Sequence, residues 1–235
     1  MKWTVSSIDN NSIKQIQNDL DIPLHILNIL FNRNIKKIDQ IKGFLSDDLL
    51  KLNDPFLMKG MDKAVNRIIK NIKSGKPIAV VGDYDLDGIS AVSLLKLGIE
   101  HLGGKVISFI PNRKNDGHGI PKRFLIESIK KGVDLYLTCD FGINQVNTIK
   151  EINTHGLDCI LTDHHLSEAI LPPAFSILNP NQKGCDYPFK DLSGSGVAFM
   201  LINGLNAKYK NSNILIEKII DIAAVSYTHL RAHET

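Results

Sequence analysis

Five short apolar runs constrain the fold of this chain more than any other feature. Continuous apolar runs of this length are typical of strands that are buried on both faces of a parallel sheet. Stretches of helical periodicity separate the first four runs, which is the pattern of doubly wound proteins. The sequence therefore predicts an α/β fold with a doubly wound, mainly parallel sheet. The runs cover residues 78–81, 105–110, 134–138, 158–161 and 175–178.

A helical extension is predicted ahead of this sheet. Between residues 11 and 73 apolar side chains recur at helical spacing, as at Leu20, Leu24 and Leu27. The Ser-Gly-Lys-Pro segment at residues 74–77 then breaks the helical pattern. We therefore predict a helical extension over residues 1–76 and an α/β domain over residues 77–225.

The composition favours a globular, cytoplasmic protein with no membrane partner. Hydrophobic residues make up 43% of the chain and charged residues 23%, and no segment approaches the roughly 18 apolar residues of a membrane span. The N-terminal residues lack the pattern of a secretion signal, and the three cysteines are too widely spaced for a zinc site. The net charge of +3 permits a nucleic-acid partner without requiring one.

Three carboxylates follow the first apolar run, at Asp83, Asp85 and Asp87. Like charges this close repel one another unless a cation neutralises them, and alternating aspartates in an extended turn can direct their oxygens at one point. The pattern indicates a divalent cation site ahead of a helix that starts near Ile89. An Asp-rich turn that only caps this helix is the alternative.

Two further strand ends carry possible ligands. Asp140 follows the third apolar run, and Asp163, His164 and His165 follow the fourth. Because ligands of open α/β sheets bind beyond the carboxyl ends of the strands, these residues are expected at one edge. Carboxylate and imidazole ligands suit Mn²⁺ or Mg²⁺, and two such ions are common in phosphoryl hydrolases. A turn-capping Asp140 and structural histidines are the alternative.

These motifs resemble those of the DHH phosphoesterase superfamily. Residues 83–88 look like its motif I, Asp140 like motif II, and residues 163–165 like the motif that names the superfamily. Further blocks, within roughly residues 32–226, are similar to the RecJ-like exonuclease family. They are residues 53–56, 82–85, 111–113, 116–119, 179–182 and 192–199.

The resemblance implies roles for individual residues. Metal ligands would be Asp85, Asp87, Asp140 and His164, with Asp83 assisting and Asp140 bridging two ions. His165, with Asp163 beside it, would contact the scissile phosphate or take part in proton transfer, unless it only orients its neighbours. Arg113 and His118 lie in a loop suited to phosphate contact, and a solvated loop is the alternative reading.

The resemblance also implies the activity. A RecJ-like protein would hydrolyse single-stranded DNA from 5′ to 3′ with two divalent cations, Mn²⁺ or Mg²⁺, in DNA repair and recombination. Its partners would be single-stranded DNA, a single-strand-binding protein and a helicase. Two alternatives stay open: a DHH hydrolase of short oligonucleotides, cyclic dinucleotides or pyrophosphate, and a noncatalytic DHH scaffold in a replication complex.

The match ends near residue 225. Residues 226–235 depart from the RecJ-like pattern, and we interpret them as a non-native tail that resembles a translated sequencing adapter. The fourth metal-site motif of the family is disrupted there, and its later domains do not follow. We therefore expect the chain to bind metal poorly and to cut DNA weakly or not at all, and no metal role is assigned to Asp221.

Overall fold

The structure of the chain is a computed structural model that describes residues 10–46, 52–116, 120–209 and 213–232. The chain divides into two compact units, Met1–Leu52 and Asn53–Thr235. In the described residues, no helix is both long and apolar enough to cross a membrane. Each unit is described separately below.

The first unit is helical, as the apolar spacing predicts. Its helices are α1 (Asn10–Leu20), α2 (Leu24–Asn32) and α3 (Ile38–Phe44). Their apolar faces meet in a small core, because residues three or four positions apart lie on one side of a helix. The buried members of this core are Ile13, Leu27, Leu30, Phe31 and Ile41.

The second unit contains the sheet and six helices in its described residues. It opens with a 3-10 turn at Pro55–Leu57, and the next helix, α4 (Met61–Ser74), packs against β1 (Pro77–Gly82), β5 (Ser176–Leu178) and α8 (Gly194–Tyr209). Contacts divide the chain after Leu52 and place α4 in the same unit as the sheet. This division does not test the predicted domain boundary after residue 76, which stays a prediction. The elements are the turn Pro55–Leu57, α4 (Met61–Ser74), β1 (Pro77–Gly82), α5 (Leu86–His101), β2 (Lys105–Phe109), α6 (Lys122–Lys130), β3 (Leu135–Cys139), α7 (Val146–Thr154), β4 (Asp158–Thr162), β5 (Ser176–Leu178), α8 (Gly194–Tyr209) and α9 (Asn213–Ala232).

The sheet confirms the predicted fold class. Its five strands are all parallel and lie in the order β2-β1-β3-β4-β5. The chain runs outward from β1 to β2, then crosses back past β1 to β3 and continues outward on the other side through β4 and β5, so the topological switch point lies between β1 and β3. Ligands of open α/β sheets bind at the carboxyl ends of the strands beside such a point.

Helices cover both faces of the sheet. Side chains of α6 and α7 pack with alternate strand residues, including Ala79, Val81 and Tyr136, on one face. The opposite face carries α4, α5 and α8, and α9 packs on α5 and α8. Because both faces are covered, β1, β3 and β4 are buried along almost their whole length, which explains their continuous apolar sequences.

Candidate metal centre

The carboxyl ends of β1, β3, β4 and β5 lie side by side at the same end of the sheet. The last residues of β1, β3 and β4 lie opposite one another, so the aspartate that follows each strand is at the same level. Each of these aspartates also donates its backbone amide to the neighbouring strand. The bonds run from Asp83 N to Cys139 O (3.3 Å), Asp140 N to Thr162 O (2.9 Å) and Asp163 N to Leu178 O (3.0 Å).

Asp140 lies at the centre of this edge. Its φ of 64° is left-handed, a conformation that Asp adopts more readily than most residues. Its side chain is only 3% exposed, Oδ1 lies 3.1 Å from His164 Nε2, and no described residue donates a well-aligned hydrogen bond to this oxygen. Burial raises the pKa of Asp140 to about 7; Asp87 adds to this rise, and contact with His164 opposes it. A buried carboxylate oxygen without a donor is costly unless another group neutralises it.

The two histidines bring their ring nitrogens to Asp140. One ligand atom from each of Asp140, His164 and His165 can be chosen so that all three lie within 4.8 Å of one another. His164 Nε2 also lies 3.8 Å from Asp87 Oδ2. The structure thus brings together one carboxylate from β3, one from α5 and the imidazoles that follow β4.

Asp87 is 1% exposed and accepts three hydrogen bonds. The amides of Gly194 and Ser195 donate to its two oxygens at 2.6 and 2.7 Å, and Ser226 Oγ donates to Oδ1 at 2.7 Å. The sequence gives little sign of these contacts, because backbone amides have no residue signature and lie more than 100 positions away.

The other two motif I aspartates take different local positions. Asp85 caps α5 by accepting a hydrogen bond from Gly88 N at 2.9 Å, so the helix starts at Leu86. The predicted start near Ile89 was wrong, because this cap begins the helix three residues earlier and places Asp87 in its first turn. Asp83 accepts a bond from Tyr84 N at 2.7 Å and is half-buried. Metal binding by Asp83 and Asp85 stays a prediction.

Asp163 organises the backbone that carries the histidines. Its Oδ1 accepts from His164 N (2.8 Å), and its Oδ2 accepts from Ile143 N (2.9 Å). The same Oδ1 is paired with His165 Nδ1 at 2.7 Å, and this bond raises the pKa of His165 to about 9. Burial alone would raise the pKa of Asp163, but His165 and the Ile143 amide hold it below its ordinary value.

Two asparagines hold the histidine backbone from the other side. Asn179 Nδ2 donates to His165 O, and Asn181 Nδ2 donates to His164 O, both at 2.8 Å. Both residues belong to the block at 179–182, which shows a family resemblance but predicts no contact on its own. The two asparagine side chains therefore hold the segment that carries the histidines by donating hydrogen bonds to its backbone carbonyl groups.

A cavity of about 260 Å³ opens beside this cluster. The exposed Arg113 places its guanidinium 5.3 Å from the centre of the Tyr84 ring, which puts a cation next to motif I. His118 lies outside the described residues. The cavity is lined by Gly82, Asp83, Pro111, Asp140, Phe141, Gln145 and His165.

The donor set fits a hard or borderline divalent cation. Carboxylate oxygens and neutral imidazole nitrogens are the ligands that Mn²⁺ and Mg²⁺ accept, and no cysteine is among them. The Oδ1 of Asp140 is the clearest indication, since it is buried, lies 3.1 Å from His164 Nε2 and has no well-aligned donor in the part of the chain that the structure describes. A cation beside it would satisfy this oxygen.

Comparison of solved structures supports the same architecture. The crystal structure of exonuclease RecJ bound to manganese aligns with a TM-score of 0.59 at 32% identity, covering 65% of this chain and 39% of that one. The crystal structure of Thermus thermophilus RecJ in complex with Mn²⁺ aligns with a TM-score of 0.67 at 26% identity, covering 87% and 28%.

Sequence comparison identifies the family. The single-stranded-DNA-specific exonuclease RecJ of Bacillus subtilis is 35% identical over 96% of this chain and 28% of its own length. The RecJ of Haemophilus influenzae is 33% identical over 77% of this chain and 31% of its own length. The chain thus spans about three tenths of these curated relatives. A sequence model of the DHH family, N-terminal domain, matches residues 77–226, well over half of the chain, and the chain therefore belongs to the DHH family.

Proposed function

We propose that this chain is the DHH part of a metal-dependent exonuclease that hydrolyses single-stranded DNA from 5′ to 3′. Two divalent cations, Mn²⁺ or Mg²⁺, are its cofactors. The observation that carries this proposal is the cluster of the buried Asp140 carboxylate with His164 and His165, whose ligand atoms lie within 4.8 Å of one another. Relatives named as single-stranded-DNA-specific exonucleases, and a similar structure bound to manganese, support the choice of substrate and metal.

In this proposal Asp87, Asp140 and His164 hold the cations, together with Asp83 and Asp85. The bound cations supply positive charge that stabilises the negative charge growing on the phosphoryl oxygens.

His165 acts on the phosphodiester itself, and Asp163 supports it in this catalytic role. Asp163 holds His165 Nδ1 and raises the pKa of His165 to about 9, which favours a protonated imidazole at neutral pH in the metal-free protein. A protonated imidazole at the cavity wall can donate a hydrogen bond to a phosphate oxygen or a proton to the leaving oxygen. Asp163 keeps the ring in one orientation for this purpose.

The rim of the cavity receives the DNA backbone. Arg113 is exposed and lies over Tyr84, so its guanidinium is available to a phosphate group. His118 is proposed as a second contact in the same loop. Single-stranded DNA is the proposed partner, with a single-strand-binding protein and a helicase acting in DNA repair and recombination, and the proposed location is the cytoplasm.

A nuclease assay tests this function. Residues 1–225 are fused to the corresponding C-terminal part of the Bacillus subtilis relative and incubated with Mn²⁺ and 5′-labelled single-stranded DNA. Release of labelled mononucleotides is compared with that of an Asp140→Ala variant. An Asp62→Ala variant serves as the matched control, since Asp62 is 69% exposed and bonded to Lys208 on the surface.

We expect mononucleotides from the fusion and from Asp62→Ala, and none from Asp140→Ala. Equal activity in Asp140→Ala would refute the metal role of this residue. Intact DNA together with hydrolysis of short oligonucleotides or pyrophosphate would retain the site and contradict the substrate.

A further inference from the structure

We infer that the N-terminus of α8 positions the metal-binding carboxylates, and that Gly194 is the positioning residue. This inference rests on the proposed metal site. It concerns how the site is built and adds residues that do not themselves contact a metal. Two independent observations carry it, one at Asp87 and one at Asp140.

The first observation is the pair of amides that Asp87 accepts. The first amides of a helix have no acceptor within the helix and carry its positive partial charge. In α8, Gly194 N and Ser195 N donate to Asp87 Oδ2 and Oδ1 at 2.6 and 2.7 Å. Because each oxygen accepts one of these bonds, the pair fixes the plane of the carboxylate. Asp87 is therefore held in one orientation by the start of α8.

The second observation is the space at Gly194. A Cβ atom added there would lie 2.6 Å from both Cβ and Oδ1 of Asp140. This distance is far below van der Waals contact, so any side chain at this position would displace the Asp140 carboxylate. The absence of a side chain lets α8 approach Asp140 while its first two amides bond Asp87. One helix end thus fixes two carboxylates from two different elements.

Asp87 keeps one acceptor position for a cation. A carboxylate has about four lone-pair sites. Among the described residues, Oδ1 accepts from Ser195 N and Ser226 Oγ, whereas Oδ2 accepts from Gly194 N alone. Oδ2 is also the oxygen that lies 3.8 Å from His164 Nε2. The free position of Asp87 therefore belongs to the oxygen on the side of the proposed site.

A pair of glycine substitutions tests the inference. Gly194→Ala and Gly196→Ala make the same chemical change in the first turn of α8, and both gain helix propensity. At Gly196 the added Cβ would meet Leu192 Cδ2 at 3.0 Å, the end of a flexible side chain. Binding of Mn²⁺ to the full chain is measured by the loss of the free-ion signal in electron paramagnetic resonance.

We expect the Mn²⁺ dissociation constant of Gly194→Ala to rise by roughly 10- to 100-fold, the usual effect of losing a group that orients a ligand. Gly196→Ala should bind as the unsubstituted chain does. Equal affinity in both variants would overturn the inference while leaving the metal site intact. Weak binding is expected of the unsubstituted chain, and the complete absence of Mn²⁺ binding would overturn both the site and the inference.

Ser195 provides a second test that does not add bulk beside Asp140. Ser195→Pro removes the amide hydrogen that reaches Asp87, and proline is tolerated in the first turn of a helix. Ser195→Ala removes only the hydroxyl, so its loss of Mn²⁺ affinity should be much smaller than that of Ser195→Pro. Equal losses would contradict the role of the amide.

Hydrogen exchange on the unsubstituted, metal-free chain needs no variant to fold. The amides of Gly194 and Ser195 should exchange slowly, because both are bonded to a buried carboxylate. First-turn amides without such a partner exchange readily. Fast exchange at both positions would overturn the inference even if a substitution prevented folding.

Discussion

Removing the Arg67 guanidinium should destabilise the sheet from the edge opposite the metal site. Arg67 lies on α4 and is only 9% exposed. Its Nε donates to Asp158 Oδ2 at 2.6 Å, its Nη2 donates to Asp134 O at 3.1 Å, and it also bonds Asn71. These contacts tie α4 to the residues where β3 and β4 begin.

The structure sets the size of this effect. Breaking a fully buried ion pair costs about 3–5 kcal/mol, but the Asp134 and Asp158 side chains are 30% and 42% exposed and can be rehydrated. An Arg67→Met variant keeps the apolar stem, so we expect a loss of about 2–3 kcal/mol. For a unit of this size that corresponds to a melting temperature roughly 5–10 °C lower.

Urea unfolding followed by circular dichroism measures this loss. The control is Lys76→Met, which removes another bond to Asp134 from a side chain that is 55% exposed and should cost at most about 1 kcal/mol. The slope of the unfolding free energy against urea should not change in either variant. Equal losses in Arg67→Met and Lys76→Met would refute the reasoning.

Three further predictions concern packing, pH and metal. Gly98→Ala should cost about 1–3 kcal/mol in thermal unfolding, because its Cβ would lie 2.5 Å from Ile202 Cδ1; an unchanged melting temperature would contradict this close packing of α5 on α8. Bonds from Lys76 and Asn71 outweigh burial and lower the pKa of Asp134, so its stabilising contribution is present above its ordinary pKa of 3.8 and is lost as the pH falls below it. Asp134→Asn should therefore lose less stability than the unsubstituted chain between pH 5 and pH 2, roughly the range below the ordinary carboxyl pKa, in urea unfolding. Mn²⁺ at about 100 times its dissociation constant should stabilise the protein by about 2.7 kcal/mol and raise its melting temperature, with EDTA reversing the rise. An equal rise in the melting temperature of the Asp140→Ala variant would show that Mn²⁺ binds elsewhere.

The sequence predicts the sheet well because strands that are buried on both faces have continuously apolar sequences. β1, β3 and β4 are buried on both faces, so their residues are continuously apolar and their ends can be placed within a residue or two. The carboxyl-end rule for parallel sheets then places Asp140 and residues 163–165 at one edge, as the structure shows. Strand order is not recorded in this way, and it follows from the structure alone.

Features that depend on contacts distant in the chain are harder to predict. Asp85 reads equally well as a metal ligand and as a helix cap, and the bond to Gly88 shows that it caps α5. Asp87 is bonded to backbone amides of α8, which any residue except proline could supply. The roles of Asn179 and Asn181 depend on carbonyl groups of the histidine segment, so their identity alone does not reveal them.

A crystal of the protein grown with Mn²⁺, with diffraction recorded at the manganese absorption edge, tests the central claim most directly. The account predicts an anomalous peak within bonding distance of Asp140 Oδ1 and His164 Nε2, on the side of Asp87 Oδ2. The same peak should be absent from crystals of the Asp140→Ala protein. A peak bound by other residues, or an Asp140 carboxyl that remains without a cation at saturating Mn²⁺, would contradict the account.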